Sequence, residues 1–302
     1  MKKINNFAAI AGKWIFEKYS ATYISPDTQL PSTLFGLTLF EDKIKSGTIK
    51  AKIKFIKVKN KDVAGRIVLG YDATTKEYYS IGIGGYGYAY VIDKYKKEIG
   101  WSGLEFAGRN HEIVEGKDYE IEVKIYGQKV ILKVNRITIF EFQLPEPLKG
   151  SQTGLFAWGS GEIKFSDISI SSEKPKAFVV MQFTEPYESL YQEVIKPVCE
   201  EMNLFVYKAD EVYKPGILLR DIIEGLVESE IIIADITPPN PNVFYELGFS
   251  HALNKTTILL AQRGSELPFD IKSYRVIFYD DTIKGKTEVE ENLRRHLKNI
   301  IK

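Results

Sequence analysis

Hydrophobic residues follow two different rhythms along this chain. Up to about residue 172 the period is two. TIKAKIKFIKVK alternates apolar residues with lysine, the pattern of a strand with one wet face. YEIEVKIYG and KVILKVN repeat the pattern and meet at Gly127 and Gln128, a spacing that predicts a tight hairpin. AGRIVLGYD, EYYSIGIGG, YAYVIDK and EIKFSDISI supply further strands, with Gly, Asp and Asn between them. An all-β antiparallel jelly-roll sandwich over residues 14–172, without a helical segment, is the expectation.

After the polar stretch SSEKPK the rhythm changes. AFVVMQF is a continuous apolar run of the kind buried on both faces of a sheet. A helix is predicted in YESLYQEVIKPVCEEM, then the strand LFVYKA, the helix PGILLRDIIEGLVES, the strand EIIIADI, the helix PNVFYELGFSHALN and the strand TTILLAQ. A last strand, YRVIFYD, precedes an amphipathic closing helix around VEENLRRHLKNIIK. Strict alternation of strand and helix implies a parallel sheet with right-handed crossovers and helices on both faces. The chain therefore divides into domains at 1–172 and 173–302.

Composition supports two folded domains. The 302 residues are 44% hydrophobic and 27% charged, which fits neither disorder nor a membrane protein. No apolar run approaches the roughly 20 residues that span a bilayer, and the N-terminal MKKINNFAAIAG has too short an apolar patch for a signal core. A cytoplasmic location is expected. Cys199 is the only cysteine, which leaves no intrachain disulfide and no thiolate metal cage; its helical setting points to a buried thiol. Residues 1–172 carry 25 Lys plus Arg against 19 Asp plus Glu, and the remainder 16 against 21, so offsets of +6 and −5 leave the net +1. A positive excess spread over many strands reads as a solvated surface rather than a nucleic-acid groove.

In open parallel α/β sheets ligands bind beyond the carboxyl ends of the strands. That rule selects Gln182 to Pro186, Ala209 to Gly216, Asp235 to Asn242 and the segment after Ala261. The third is unusual: ADITPPNPNVFYELG ends a buried strand with an acid, turns through prolines and asparagines, and starts a helix. Asn240 suits the N-cap, Pro241 the first helical position, and Glu246 then lies in the second turn. At about 100° per residue, Asn242, Glu246, Phe249, Ser250 and Leu253 share one side, while Phe244, Gly248 and His251 share the other. A glutamate among Phe249, Leu253 and Val243 is not on an ordinary wet stripe. His251 points away from Glu246 and reads as structural, and no second histidine stands at metal-ligand spacing.

AFVVMQF, ADEVYKPGILLRDIIEGLVES and EIIIADITPPNPNVFYELGFSHALNK resemble the TIR-like and nucleoside 2-deoxyribosyltransferase-like group of flavodoxin-type domains over about 130 residues. The resemblance implies a helix glutamate acting on C1′ of a ribose, at Glu246. It departs from the transferase pattern at Asn240, where that group carries an acid, which favours NAD because nicotinamide leaves without protonation. Substrate contacts are expected from Gln182, Phe183 and Thr184 after the first strand, from Asp210 and Gly216 as a phosphate loop, from Asp235 as a ribose ligand or a turn cap, and from Asn240, Asn242 and Ser250 on the helix. Arg220 stands in the helix after that loop, where it is either a pyrophosphate partner or an ordinary exposed arginine. No Walker-type Gly-Lys-Ser/Thr is present. No cofactor is implied, with NAD a substrate. Relatives in the group commonly act after self-assembly, and prokaryotic ones often in antiphage defence, so a homo-oligomer is expected.

TLFEDKIKSGTIKAKIKF, KEYYSIGIGGYGYAYVI, EGKDYEIEVKIYGQKVILKVN and TGLFAWGSGEIKFSDISI resemble the concanavalin-A-like jelly rolls, including domains related to 3-keto-disaccharide hydrolases. The carboxylate strand of jelly-roll glucanases is absent, and Glu120 and Glu122 read as an ordinary wet face. Tyr86, Tyr88, Tyr90 and Trp101 form either an aromatic platform for a glycan or small molecule or one packed face of a sheet. Three functions remain open on the sequence: an NAD glycohydrolase, a nucleoside or nucleotide N-glycosidase or deoxyribosyltransferase, and a non-catalytic nucleotide sensor with a glycan-binding or oligomerising jelly roll.

Overall fold

The computed structural model of the chain describes residues 1–27, 34–58, 62–209 and 218–301. They form two compact units. One comprises Met1–Ile125, Lys129–Leu144 and Leu148–Glu173; the other comprises Lys174–Lys302 with Tyr126–Gln128 and Pro145–Pro147.

The first unit is built from antiparallel strands in two sheets. In chain order these are β1 (Lys2–Lys3), β2 (Phe7–Ala11), β3 (Lys13–Glu17), β4 (Ser20–Ile24), β5 (Phe35–Lys43), β6 (Gly47–Val58), β7 (Ala64–Tyr71) and β8 (Tyr78–Ile83). They continue with β9 (Tyr90–Lys96), β10 (Gly100–Ala107), β11 (Asp118–Tyr126), β12 (Lys129–Val134), β13 (Ile137–Gln143), β14 (Gln152–Trp158) and β15 (Gly161–Ser172). One sheet runs β13-β12-β11-β6-β15-β4-β3, with β1 added beside β15; the other runs β10-β9-β8-β7-β14-β5-β2. Two details differ from the sequence expectation. Pairing begins at Lys2 rather than near residue 14, and a short 3-10 turn occupies Asn110–Glu112.

Alternation explains the sandwich. Ile49, Ile53 and Phe55 of β6 point into a core that also takes Ile67 and Leu69 of β7, Ile81 of β8 and Leu155 of β14. The lysines between the β6 apolar positions face β11, where register sets Lys50 against Glu122 and Lys54 against Asp118, with ion pairs of 2.6 and 3.1 Å. Glu122 and Glu120 thus belong to a wet face of cross-strand pairs.

The second unit holds a parallel sheet of β16 (Lys176–Val180), β17 (Phe205–Lys208), β18 (Ile231–Asp235), β19 (Thr256–Gln262) and β20 (Val276–Tyr279), in the order β17-β16-β18-β19-β20. Counting within the unit, this is the doubly wound order 2-1-3-4-5. Its helices are α1 (Tyr187–Leu190), a π-turn at Tyr191–Ile195, α2 (Lys196–Glu201), α3 (Leu218–Glu228), α4 (Pro241–Ala252) and α5 (Ile283–Ile301). The sequence pattern of one helix from Tyr187 onward is interrupted because Pro197 lacks the N–H of an i→i−4 bond and its ring crowds the preceding turn.

Strand alternation assigns the two helical layers. Val179, Ile233 and Leu260 pack with Val194 and Val198 and with Val289, Leu293 and Leu297 of α5. Phe178, Ile232 and Leu259 turn the other way, onto Leu226 of α3 and Val243 and Leu247 of α4. Gly225 lets α3 approach β16 closely: a methyl group there would sit 2.6 Å from the Phe178 ring. Among the described residues, no helix is long and apolar enough to cross a membrane.

Candidate functional site

The strand order reverses beside β16, whose neighbours β17 and β18 leave in opposite directions, so the crevice opens past the carboxyl ends of β16 and β18. Four predicted residues lie there. Gln182 follows β16 and donates from Nε2 to Thr184 Oγ1 at 2.7 Å, while the Thr184 carbonyl accepts from the backbone N–H groups of Tyr187 and Glu188. Phe183 is exposed and lies 5.1 Å under the ammonium of Lys208. Lys208, from the end of β17, also pairs with Glu188.

Asp235 ends β18 and is buried, 1% exposed. Thr237 donates to Oδ1 from its backbone N–H at 3.2 Å and its hydroxyl at 3.0 Å, and the Tyr279 hydroxyl donates to Oδ2 at 2.7 Å. The Thr237 hydroxyl in turn accepts from the Gln262 N–H at 2.9 Å. Burial pushes the Asp235 carboxyl up to about 6, against the pull of these donors. Of the two sequence readings, turn cap and ribose ligand, this geometry matches the cap: the carboxylate fastens strands β18, β19 and β20 at their carboxyl ends.

The helix that follows starts as its sequence predicts. Asn240 has extended backbone (φ −130°) and its side-chain oxygen accepts from the Asn242 N–H at 2.9 Å; Pro241 opens α4. Its packed stripe is Val243, Leu247 and Ser250, about 100° around the helix from the Asn242 and Glu246 side drawn from ideal spacing, with Ser250 common to both. Ser250 is the consequence: it is fully buried and its hydroxyl donates to the Leu247 carbonyl at 2.7 Å, so it is corrected from a substrate contact to a packing residue. Asn242 is exposed. His251 stacks on Tyr274, with ring centroids 4.5 Å apart and planes 6° from parallel. Burial lowers the pKa of this imidazole.

Glu246 flanks the packed stripe and is half-buried. Burial alone acts on its carboxyl and pushes it up to about 7; among the described residues no donor or cation meets it. It is therefore a carboxylate whose charge costs energy until a cation arrives. Asp210 and Gly216, the predicted phosphate loop, lie outside the described residues. Arg220 is exposed on α3. Cys199 is fully buried, and burial pushes its thiol up to about 12, which leaves it inert.

No family model matches the sequence, and no curated protein matches it. Among solved structures, the carbohydrate binding module CBM66 from Bacillus subtilis is similar at 13% identity and a TM-score of 0.47, over 57% of this chain and 99% of that one. The TIR domain of the Toll-related receptor TRR-2 from Hydra magnipapillata is similar at 15% identity and a TM-score of 0.35, over 41% of this chain and 98% of that one. Galectin LEC-6 from Caenorhabditis elegans follows at 14% identity and a TM-score of 0.34, over 50% and 95%.

The aromatic residues of the first unit separate. Tyr90 turns inward and packs against the sandwich core. Tyr88 lies on the Phe106 ring at 4.8 Å. Tyr86 and Trp101 line a cavity on the outer face of the second sheet. Sequence reasoning passed over Tyr279, Thr237 and the charged residues of that cavity. A signal existed for the last: Arg66 is the lone charge in the strand run AGRIVLGY, and Asp93 directly follows the apolar YVI of its own strand.

Proposed function

We propose that the second unit breaks the N-glycosidic bond of a nucleotide, with NAD as the substrate and Glu246 as the carboxylate that faces the ribosyl C1′. One observation carries this reading: Glu246 is half-buried beside the carboxyl-end mouth of a parallel sheet, with no neutralising partner among the described residues. A carboxylate in that state stabilises a nearby cation far more than one that is solvated or already paired. In NAD the pyridinium is already cationic. As the C1′–N1 bond breaks, its electron pair returns to the ring, nicotinamide departs neutral, and positive charge moves onto the ribosyl ring, opposite Glu246. Water then adds at C1′ and loses its proton to solvent.

Asn240 supports the choice of leaving group. Its side-chain oxygen is committed to the N-cap of α4, and an amide supplies no proton to a departing base. A nucleoside base that must be protonated is therefore the poorer substrate. The first unit, or assembly of the chain with further copies of itself, would control turnover, in keeping with an effector of antiphage defence.

Incubation of the full chain with NAD and, separately, with nucleosides tests the reading. Nicotinamide release that falls at least ~10²-fold in Glu246→Gln, the scale of losing one electrostatic stabiliser, is the expected result. kcat/KM should rise through about pH 7 as the carboxyl ionises. Free base from nucleosides alone, or nicotinamide release that survives Glu246→Gln, refutes it.

A further inference from the structure

The outer face of the second sheet in the first unit carries a cavity of about 290 Å³. It is lined by the rings of Tyr86, Trp101, Phe156 and Trp158 and by three charged residues, Asp62, Arg66 and Asp93. Arg66 and Asp93 are 2% and 1% exposed and form a buried ion pair, to which the Ser80 hydroxyl adds a bond on the other Asp93 oxygen. The guanidinium is held by the backbone as well. Nε donates to the Gly84 carbonyl at 2.9 Å, a second nitrogen reaches the same oxygen, and the group lies 5.7 Å from both the Tyr86 and Phe156 ring centres.

The loop beside the cavity is built for this arrangement. Gly84, Gly85, Tyr86 and Gly87 have φ of 82°, 110°, 55° and 79°, a run of left-handed residues that folds Tyr86 back over Arg66. A methyl group at Gly85 would lie 1.9 Å from the Arg66 guanidinium, and one at Gly84 would lie 1.9 Å from the Val63 carbonyl oxygen.

Charge and hydrogen-bonding capacity then decide what fits. Two carboxylates and one guanidinium leave one negative charge in excess. Asp62 Oδ1 is shut from solvent and meets no donor among the described residues. An anion would meet that excess charge. A neutral sugar brings no charge to offset that excess. A cation with an apolar body gains from both the unpaired carboxylate and the ring faces. We infer that this cavity binds a small organic ammonium ion, seated on Trp101 and Trp158 with its charge toward Asp62. Burial raises the Asp62 carboxyl, while nearby Arg66 pulls it back down.

Trp101 and Trp158 are two of the three tryptophans of the chain, so intrinsic fluorescence reports on the cavity. The full chain is titrated with choline, with the neutral isostere in which carbon replaces its quaternary nitrogen, and with a methyl glucoside. Choline should saturate and bind at least about tenfold more tightly than the isostere. Asp62→Asn should remove most of that difference. Equal binding of choline and isostere, saturation by the glucoside alone, no saturation by any of the three, or a choline preference that survives in a folded Asp62→Asn variant overturns the inference. Should that variant not fold, the comparison of choline with its isostere on the unaltered chain decides alone.

Discussion

Glu246→Gln should make the protein more stable above neutral pH while it abolishes turnover. In the folded chain the Glu246 carboxyl is held up at about 7 against an ordinary 4.5, with burial the only cause. The folded state therefore holds its proton at pH values where the unfolded chain has released it. Stability from this group is complete below 4.5, declines as the unfolded chain ionises, and is fully lost once pH passes about 7. At about 1.4 kcal/mol per pH unit, that interval corresponds to ~3 kcal/mol for a wholly desolvated group. Solvent reaches part of this side chain, and screening reduces the expected effect to ~1–2 kcal/mol. Glutamine keeps the shape and carries no charge. Urea unfolding of both proteins at pH 5 and at pH 8.5 measures the difference directly, because other titrating groups cancel between them. The variant should gain ~1–2 kcal/mol on the parent between the two pH values. A difference that stays flat, or a variant that is relatively weaker at pH 8.5, would refute the claim that the carboxylate is unpaired and desolvated.

Two more outcomes follow from buried charges. Tyr279→Phe removes a donor to Asp235 and should push its carboxyl above about 6; it should cost ~1–3 kcal/mol at pH 8 and less at pH 5, where the protonated acid no longer needs that donor, as chemical denaturation would register. Asp93→Asn strands the Arg66 guanidinium inside the first unit and should cost ~3–5 kcal/mol in equilibrium unfolding, whereas a loss under ~1 kcal/mol would mean that solvent reaches the pair.

The sequence made the periodic features legible and hid the ones that depend on partners from distant strands. TIKAKIKFIKVK announces β6 through its alternation, and AFVVM and IIIAD announce the central parallel strands because both of their faces are buried. The N-cap at Asn240 could be read locally, since capping needs only residues adjacent in the chain. Ser250 could not, because ideal spacing places a residue on a face without saying how the helix is rotated against its sheet. Asp235 was legible as an acid at a strand end. That Tyr279 would satisfy it depends on the order of strands 44 residues apart in sequence. Arg66 and Asp93, 27 residues apart, pose the same difficulty. The raised Glu246 carboxyl depends on burial, for which a sequence offers only the identity of neighbouring residues.

The bond between Tyr279 and Asp235 has a consequence for how the second unit comes into being. Its hydroxyl belongs to the last strand, so a nascent chain that has just finished α4 already contains Glu246 and the Thr237 donors to Asp235 Oδ1 but lacks the donor to Oδ2. A product that terminates before Tyr279 inherits that deficit. Closing the sheet and satisfying its central acid are thus one event, since the strand that adds the outermost row of backbone bonds also delivers the last side-chain donor.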